Sequence, residues 1–350
     1  MWILTLLLMI FILGIIILVH ELGHFFWAKK FGVHIYEFSI GMGPILHTHK
    51  GKDKIDYNIR AIPIGGFVAM AGEVYEDAKN IKKEDFMCNK PWLQRVIILV
   101  AGVMNNFLLA LLLLFVTALI WGSTVLKPVV DEVLPEYPMA EAGIVSGDTI
   151  VEINGYKTKT WDVAQIVLVM ENKNDYTEFV VRHKDNTVDT YKVKPVEVKD
   201  EETGEKRTMY GMSVKADEQK GFVSAVKYAF SKFGSIVHSM WLTVGGLING
   251  KISMKALSGP VGIYQVVDQS VGYGLDYILY LIAFLSLNVG FINILPFPAF
   301  DGGHVLFLII EKIKGSPVNQ KFENICHTIG FFLLILLMIY ITIQDIIRIV

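Results

Sequence analysis

The chain has 350 residues, 53% of them hydrophobic, and a mean hydropathy of +0.47. That is too apolar for an ordinary water-soluble protein, and leaves room for one membrane core plus one small folded domain. The formal net charge of -2 excludes a basic nucleic-acid footprint, so no nucleic-acid partner is expected, and two cysteines, Cys88 and Cys326, imply neither a disulfide framework nor a cysteine-rich zinc module.

Residues 2–19 carry no charge, and the apolar run continues to about residue 28, a first predicted span. It lacks the positive start of a secretory signal, while Lys29 and Lys30 follow it. This predicts an uncleaved anchor with its N-terminus outside and its next loop in the cytoplasm. At the inner end of the span stands His20-Glu21-Leu22-Gly23-His24. On a helix the two histidines lie at i and i+4, on one face, where two imidazole nitrogens can close on one Zn²⁺. Glu21 is offset and can serve as general base toward an activated water. The pattern also occurs in soluble helices as surface residues. Three ionisable groups within five positions of a membrane span instead point to function.

The loop 29–95 is rich in Lys and Arg, which places it in the cytoplasm. Within it residues 56–72 alternate and turn at Gly65-Gly66, predicting a β-hairpin. The hairpin is apolar enough to dip toward the active site and offer an edge for strand addition by a substrate; an ordinary cytoplasmic hairpin fits the pattern equally. His47 and His49 share a strand face without a third ligand and are expected at the surface. A second span, 96–121, carries Asn105 and Asn106 in its cytoplasmic half. Amides at that depth want partners, either between helices or at a substrate backbone or the active site.

From about residue 125 to 215 charge rises and turn residues recur. The stretch Pro138-Met-Ala-Glu-Ala-Gly-Ile-Val-Ser-Gly-Asp-Thr-Ile-Val-Glu-Ile-Asn-Gly155 resembles the PDZ module, whose grooves bind extended peptides by strand addition. Apolar positions from Phe222 to Val244 recur at helical spacing with Lys227, Lys232 and His238 between them, predicting an amphipathic helix at the outer membrane surface. Ser258-Gly-Pro-Val-Gly-Ile263 reads as a turn entering the membrane core. A third span, 277–296, ends in Asn293-Ile-Leu-Pro-Phe-Pro-Ala-Phe-Asp-Gly-Gly303. Pro296 and Pro298 break the helix, and irregular backbone at membrane depth needs protein or a water-filled cavity around it. Asp301 is the sole acid between Asp276 and Glu311. A histidine pair needs a third ligand, and Asp301 is the candidate, with helix capping as the alternative. His304, one turn on, is a candidate for the outer shell of the site. A fourth span, 329–343, returns the C-terminus to the side of the N-terminus.

Together, His20-Glu-Leu-Gly-His24, Ser258-Gly-Pro-Val-Gly262 and Asn293-Ile-Leu-Pro-Phe-Pro-Ala-Phe-Asp-Gly302 resemble the site-2 protease family. With one PDZ-like insert between spans two and three, the chain looks like the family's bacterial branch, the regulator-of-sigma-E type. The resemblance implies an intramembrane zinc metalloprotease in which His20, His24 and Asp301 match the metal ligands and Glu21 the catalytic glutamate. Asn293, Pro296 and Pro298 match a segment tied to substrate handling, and the hairpin at Gly65-Gly66 looks like the family's re-entrant loop. Phe300 stands where Leu is usual and Val103 where Pro is common.

The expected architecture is a polytopic α-helical membrane protein with four transmembrane helices, a re-entrant β-hairpin and an inserted α+β PDZ-like domain. Its divisions are 1–122 (spans one and two), 123–216 (PDZ-like), 217–270 (interfacial helix and connector) and 271–350 (spans three and four). It is expected in the cell membrane, both termini and the PDZ-like domain outside and the active site near the cytoplasmic face. Substrates are expected to be single-span membrane proteins, such as anti-sigma factors or signal-peptide remnants, held unwound with help from Asn293 and Asn106. A peptide ligand of the PDZ-like domain is a further expected partner, beside the bilayer itself. The competing readings are a catalytically silent PDZ scaffold and a zinc transporter.

Overall fold

The computed structural model describes residues 2–72, 81–171, 175–199 and 206–349. The chain forms two compact units, Met1–Leu113 with Leu257–Val350, and Leu114–Ala256. The first unit begins with α1 (Trp2–Lys30). The helix stops where Gly32 takes a φ of +67° and the Val33 N–H donates to Ala28 O at 2.9 Å, a left-handed glycine end. Lys29 and Lys30 occupy its last turn, where cations favour the negative pole of the helix.

Next come β1 (Ile35–Lys50) and β2 (Asp56–Met70). The sequence predicts a hairpin within 56–72; the structure corrects this. Phe38 pairs with both Val68 and Tyr57, and His47 pairs with Ile59. Residues 35–40 therefore lie between 66–70 and 56–60, with 45–50 outermost beside 56–60. Gly65-Gly66 is not the tip of a two-stranded turn. It opens the segment that returns to the far side of Ile35–Ile40, and Gly65 supplies the bend with a φ of +88°. Alternation identified the strand but could not identify its partner, which lies upstream.

Helix α2 (Trp92–Trp121) leads into the second unit. This unit holds β3 (Ser123–Val133), α3 (Pro138–Glu141), β4 (Thr149–Ile153), β5 (Tyr156–Lys157), α4 (Trp161–Met170), β6 (Thr177–Arg182), β7 (Val188–Val193), β8 (Val196–Lys199), β9 (Lys206–Met209), β10 (Met212–Gln219) and α5 (Phe222–Ile248). The main sheet has the order β10-β3-β4-β6-β7, with β5 on β4; β8 and β9 form a separate pair. Asn154 and Gly155 both have positive φ and join Ile153 to Tyr156 in a tight hairpin, the backbone that Asn-Gly favours. Val163, Ala164 and Val167 of α4 close over Ile150, Ile153, Phe179 and Val181.

Helix α5 is more committed to this unit than its apolar pattern predicts. Ala225, Ala229, Ile236 and Met240 are buried, Lys232 Nζ reaches Asp162 Oδ1 at 2.7 Å and Ser235 Oγ donates to Asp162 Oδ2 at 2.8 Å. The apolar positions divide: Ala229 and Met240 face inward, whereas Phe222, Phe230 and Trp241 are exposed.

The chain completes the first unit with α6 (Pro260–Tyr273), α7 (Leu275–Ile294), α8 (Asp301–Lys314) and α9 (Gln320–Ile349). Among the described residues four helices, α1, α2, α7 and α9, are long and apolar enough to cross a membrane. The Ser258-Gly-Pro-Val-Gly262 stretch starts α6, and its backbone is capped from α9. Asp345 Oδ2 accepts the N–H groups of Gly259 and Gly262, both at 2.8 Å, a carboxylate at a helix's positive end. Helix α9 begins at Gln320 rather than at 329. Asn319 starts it, its Oδ1 accepting the Lys321 N–H at 2.9 Å; polar first turns conceal a helix from a hydropathy reading. Ile12 and Ile16 of α1 pack with Val267, Leu281 and Ile282. At the other end of α1, Phe25 and Ala28 pack with Phe38, Ile98 and Leu308.

Candidate active site

His20 and His24 turn inward from α1, 7% and 6% exposed, with their Nε2 atoms 3.2 Å apart. Each Nδ1 faces a support on α2. His24 Nδ1–H donates to Ile98 O at 2.8 Å, and His20 Nδ1 lies 3.4 Å from the Asn106 amide. Asn106 is fully buried, and its Oδ1 has no partner among the described residues. Turning the amide end for end gives His20 Nδ1–H an acceptor and satisfies that oxygen. Both imidazoles then carry their proton on Nδ1 and present Nε2 lone pairs to one point.

Asp301 closes the set. It is the first residue of α8, whose N-cap, Phe300, makes no side-chain capping hydrogen bond. The Asp301 carboxylate instead reaches across, its Oδ2 3.1 Å from His20 Nε2 and 3.4 Å from His24 Nε2. Among the described residues that buried oxygen has no hydrogen-bond donor assigned to it. Zinc held at roughly 2.0–2.1 Å by tetrahedral ligands requires ligand atoms roughly 3.3 Å apart. The trio's spacing of 3.1–3.4 Å therefore fits zinc. Three protein ligands leave a fourth position open, as catalytic zinc sites do.

The loop before Asp301 explains how an acid arrives here. The Phe297 N–H donates to Leu295 O at 2.7 Å, and the Gly303 N–H to Phe300 O at 2.9 Å. A Cβ on Gly302 would strike the carbonyls of Ile294 and Leu295, so the two-glycine start of α8 lets the loop fold back upon it. Asn293 stands in the last turn of α7, and Pro296 and Pro298 in the loop itself.

Gly66 is next to Glu21: a Cβ there would lie 3.7 Å from Glu21 Cγ and 3.8 Å from Ile17 Cγ2. Thus β2 passes the candidate general base, with Gly65 immediately before it. Asn105 Nδ2 donates to Val19 O at 3.1 Å, joining α2 to α1. His304 Nδ1 lies 3.3 Å from Glu323 Oε1, and its ring stacks on His327.

Two positions escaped the sequence reading. A Cβ on Gly102 would run into His24 Nε2, and one on Gly23 into Ala101 O. Apolar surface does not drive helices together in lipid, so close approach depends on small residues. Ala101-Gly102 inside an otherwise bulky run was the available signal.

Peptidase family M50 matches residues 8–337. The chain belongs to this family. The regulator of sigma-W protease RasP of Bacillus subtilis is 32% identical over 426 residues, covering 99% of each chain. The zinc metalloprotease RasP of Shouchella clausii is 30% identical over 433 residues, covering 98% of each. A Clostridium acetobutylicum protein is 35% identical over 334 residues, covering 95% of each. This M50 peptidase is a zinc metalloprotease of the intramembrane, site-2 type, and a membrane protein.

Proposed function

We propose that His20, His24 and Asp301 hold the zinc of this intramembrane protease and that Glu21 is its general base. The observation that carries this reading is the convergence of two Nε2 atoms and one Oδ2 within 3.4 Å just past the charge-free stretch 2–19 of α1. When bound, Zn²⁺ supplies a Lewis acid and a water acidified to a pKa of about 7. Glu21 takes the water's proton as the new C–O bond forms, then delivers it to the leaving amine. Ile98 O and Asn106 hold the imidazoles in the tautomer that keeps Nε2 available. Asn106, fully buried, acts through His20 rather than on the substrate.

The substrate class follows from the site's setting. A spanning helix satisfies its own backbone and hides its carbonyls, so it must unwind before attack. The strand opening at Gly66 lies beside Glu21 and is suited to pair with an unwound segment, with Asn293, Pro296 and Pro298 flanking the ligand loop. Single-span proteins, including anti-sigma factors and signal-peptide remnants, fit this description. The four apolar helices are taken as spans, both termini outside and the Lys-rich first loop in the cytoplasm, which puts the zinc near the cytoplasmic face. Residues 1–122 and 271–350 form the membrane core in this reading. Residues 123–216 are a PDZ-like domain that binds peptides outside the cell. In 217–270, the exposed Phe222, Phe230 and Trp241 of α5 suit a membrane surface.

The test is Glu21→Gln with zinc content and cleavage measured together. Zinc should remain stoichiometric while cleavage of a single-span substrate falls roughly 10²–10⁴-fold. Cleavage at the wild-type rate would remove Glu21 from the mechanism, and loss of zinc would make it a structural residue.

A further inference from the structure

A second cluster touches the loop that precedes Asp301. His304 on α8 and Glu323 and His327 on α9 bring donor atoms within 4.8 Å of one another. The arrangement invites a second metal, but the hydrogen bonding speaks against one. His327 Nδ1 accepts the backbone N–H of Ala299 at 3.0 Å. That acceptance places the ring proton of neutral His327 on Nε2, which faces Glu323 Oε1 at 3.9 Å. A cation at Nε2 would require an imidazolate.

The bond at Nδ1 points to another role. Ala299 is two residues before Asp301 and has a φ of +87°, a backbone state that a side chain disfavours and that persists only where its surroundings enforce it. The enforcement comes from α9. Besides His327, that helix presents Gly330, where a Cβ would strike Pro298 O. The backbone of α9 therefore rests directly on the loop. The His327 ring is itself fixed, stacked on His304 with centroids 3.8 Å apart, and His304 Nδ1 lies 3.3 Å from Glu323 Oε1.

We propose that His327 is a positioning residue for the zinc site: through the Ala299 N–H it holds the loop in the one conformation that delivers Asp301 to His20 and His24. The proposal rests on Asp301 being a ligand, and the experiment separates the two.

Zinc affinity of the full-length protein in detergent is measured by competition with a chromophoric chelator, and the visible spectrum of the Co²⁺ form is recorded as a report on ligand geometry. His327→Asn retains an acceptor near the Nδ1 position, whereas His327→Gln moves it outward to the Nε2 position. Asn should keep zinc affinity within about threefold of wild type and keep its Co²⁺ spectrum. Gln and Ala should weaken affinity roughly tenfold, within the range for outer residues of metal sites, and alter the spectrum. The Asn and Gln variants decide the matter even where Ala fails to fold. Equal affinities and spectra for Asn and Gln would overturn the positioning role. Asp301→Ala, run beside them, tests the ligand assignment by itself: wild-type zinc affinity there would refute the ligand, whatever the His327 variants show.

Discussion

The two units each contain a histidine–aspartate arrangement, and the contrast between them separates the proposed metal site from a histidine held by partners at both ring nitrogens. In the first unit, His20 and His24 have their Nδ1 atoms beside Asn106 and Ile98 O, leaving both Nε2 atoms to meet Asp301. In the second, His183 uses both nitrogens. Its Nδ1 lies 2.9 Å from Asp148 Oδ1, and its Nε2 3.0 Å from the Tyr191 hydroxyl and 3.4 Å from Asp189. No lone pair is left to converge with another. The Asp148 hydrogen bond and charge hold the His183 pKa above its ordinary value. What distinguishes the two is the fate of the second ring nitrogen.

Changes that erase this contrast should act in graded fashion. The largest effect belongs to the proposed ligands: His20→Ala or Asp301→Ala should lower zinc affinity beyond the roughly 10–100-fold typical of outer-shell changes, and abolish cleavage. Metal analysis of the purified variants checks this. Next, Gly102→Ala puts a methyl into His24 Nε2 and should weaken zinc binding by roughly 10–100-fold while the protein remains membrane-inserted and folded. Unchanged affinity would show that α2 can yield there. Asn106→Ala removes the support of His20 Nδ1 and should weaken zinc by about tenfold, read by the same chelator competition.

The smallest effect is a pH dependence in the second unit. A histidine whose folded pKa is raised contributes stability that is complete below its unfolded pKa of about 6.5 and disappears as pH rises through the folded value. Hydrogen-exchange protection across residues 145–171 and 175–191 of the full chain, corrected for intrinsic rates, should fall over that interval. His183→Gln should flatten the profile; a variant that keeps the wild-type slope would assign the dependence elsewhere.

The convergence of His20, His24 and Asp301 was legible because its signals are local. A spacing of i, i+4 is readable from five letters, and Asp301 stood out as the only acid in a long apolar stretch. The hairpin of the second unit was legible at Asn154-Gly155 for the same reason. What stayed hidden depends on contacts distant in sequence. Residues 56–70 took their partner from 35–50, α5 hid Ala225 and Ala229 against its own unit, and Gly102 mattered only through a histidine on another helix. His327 was concealed doubly, inside a polar segment that does not read as a span and bound to a backbone N–H that no side-chain pattern reveals.

The most direct measurement is the mass of the products made from a purified single-span substrate, with and without a zinc chelator. The account predicts one dominant cut inside the apolar segment, absent with chelator and restored by added Zn²⁺. Cuts confined to the flanking loops, or cleavage that persists in chelator, would contradict it.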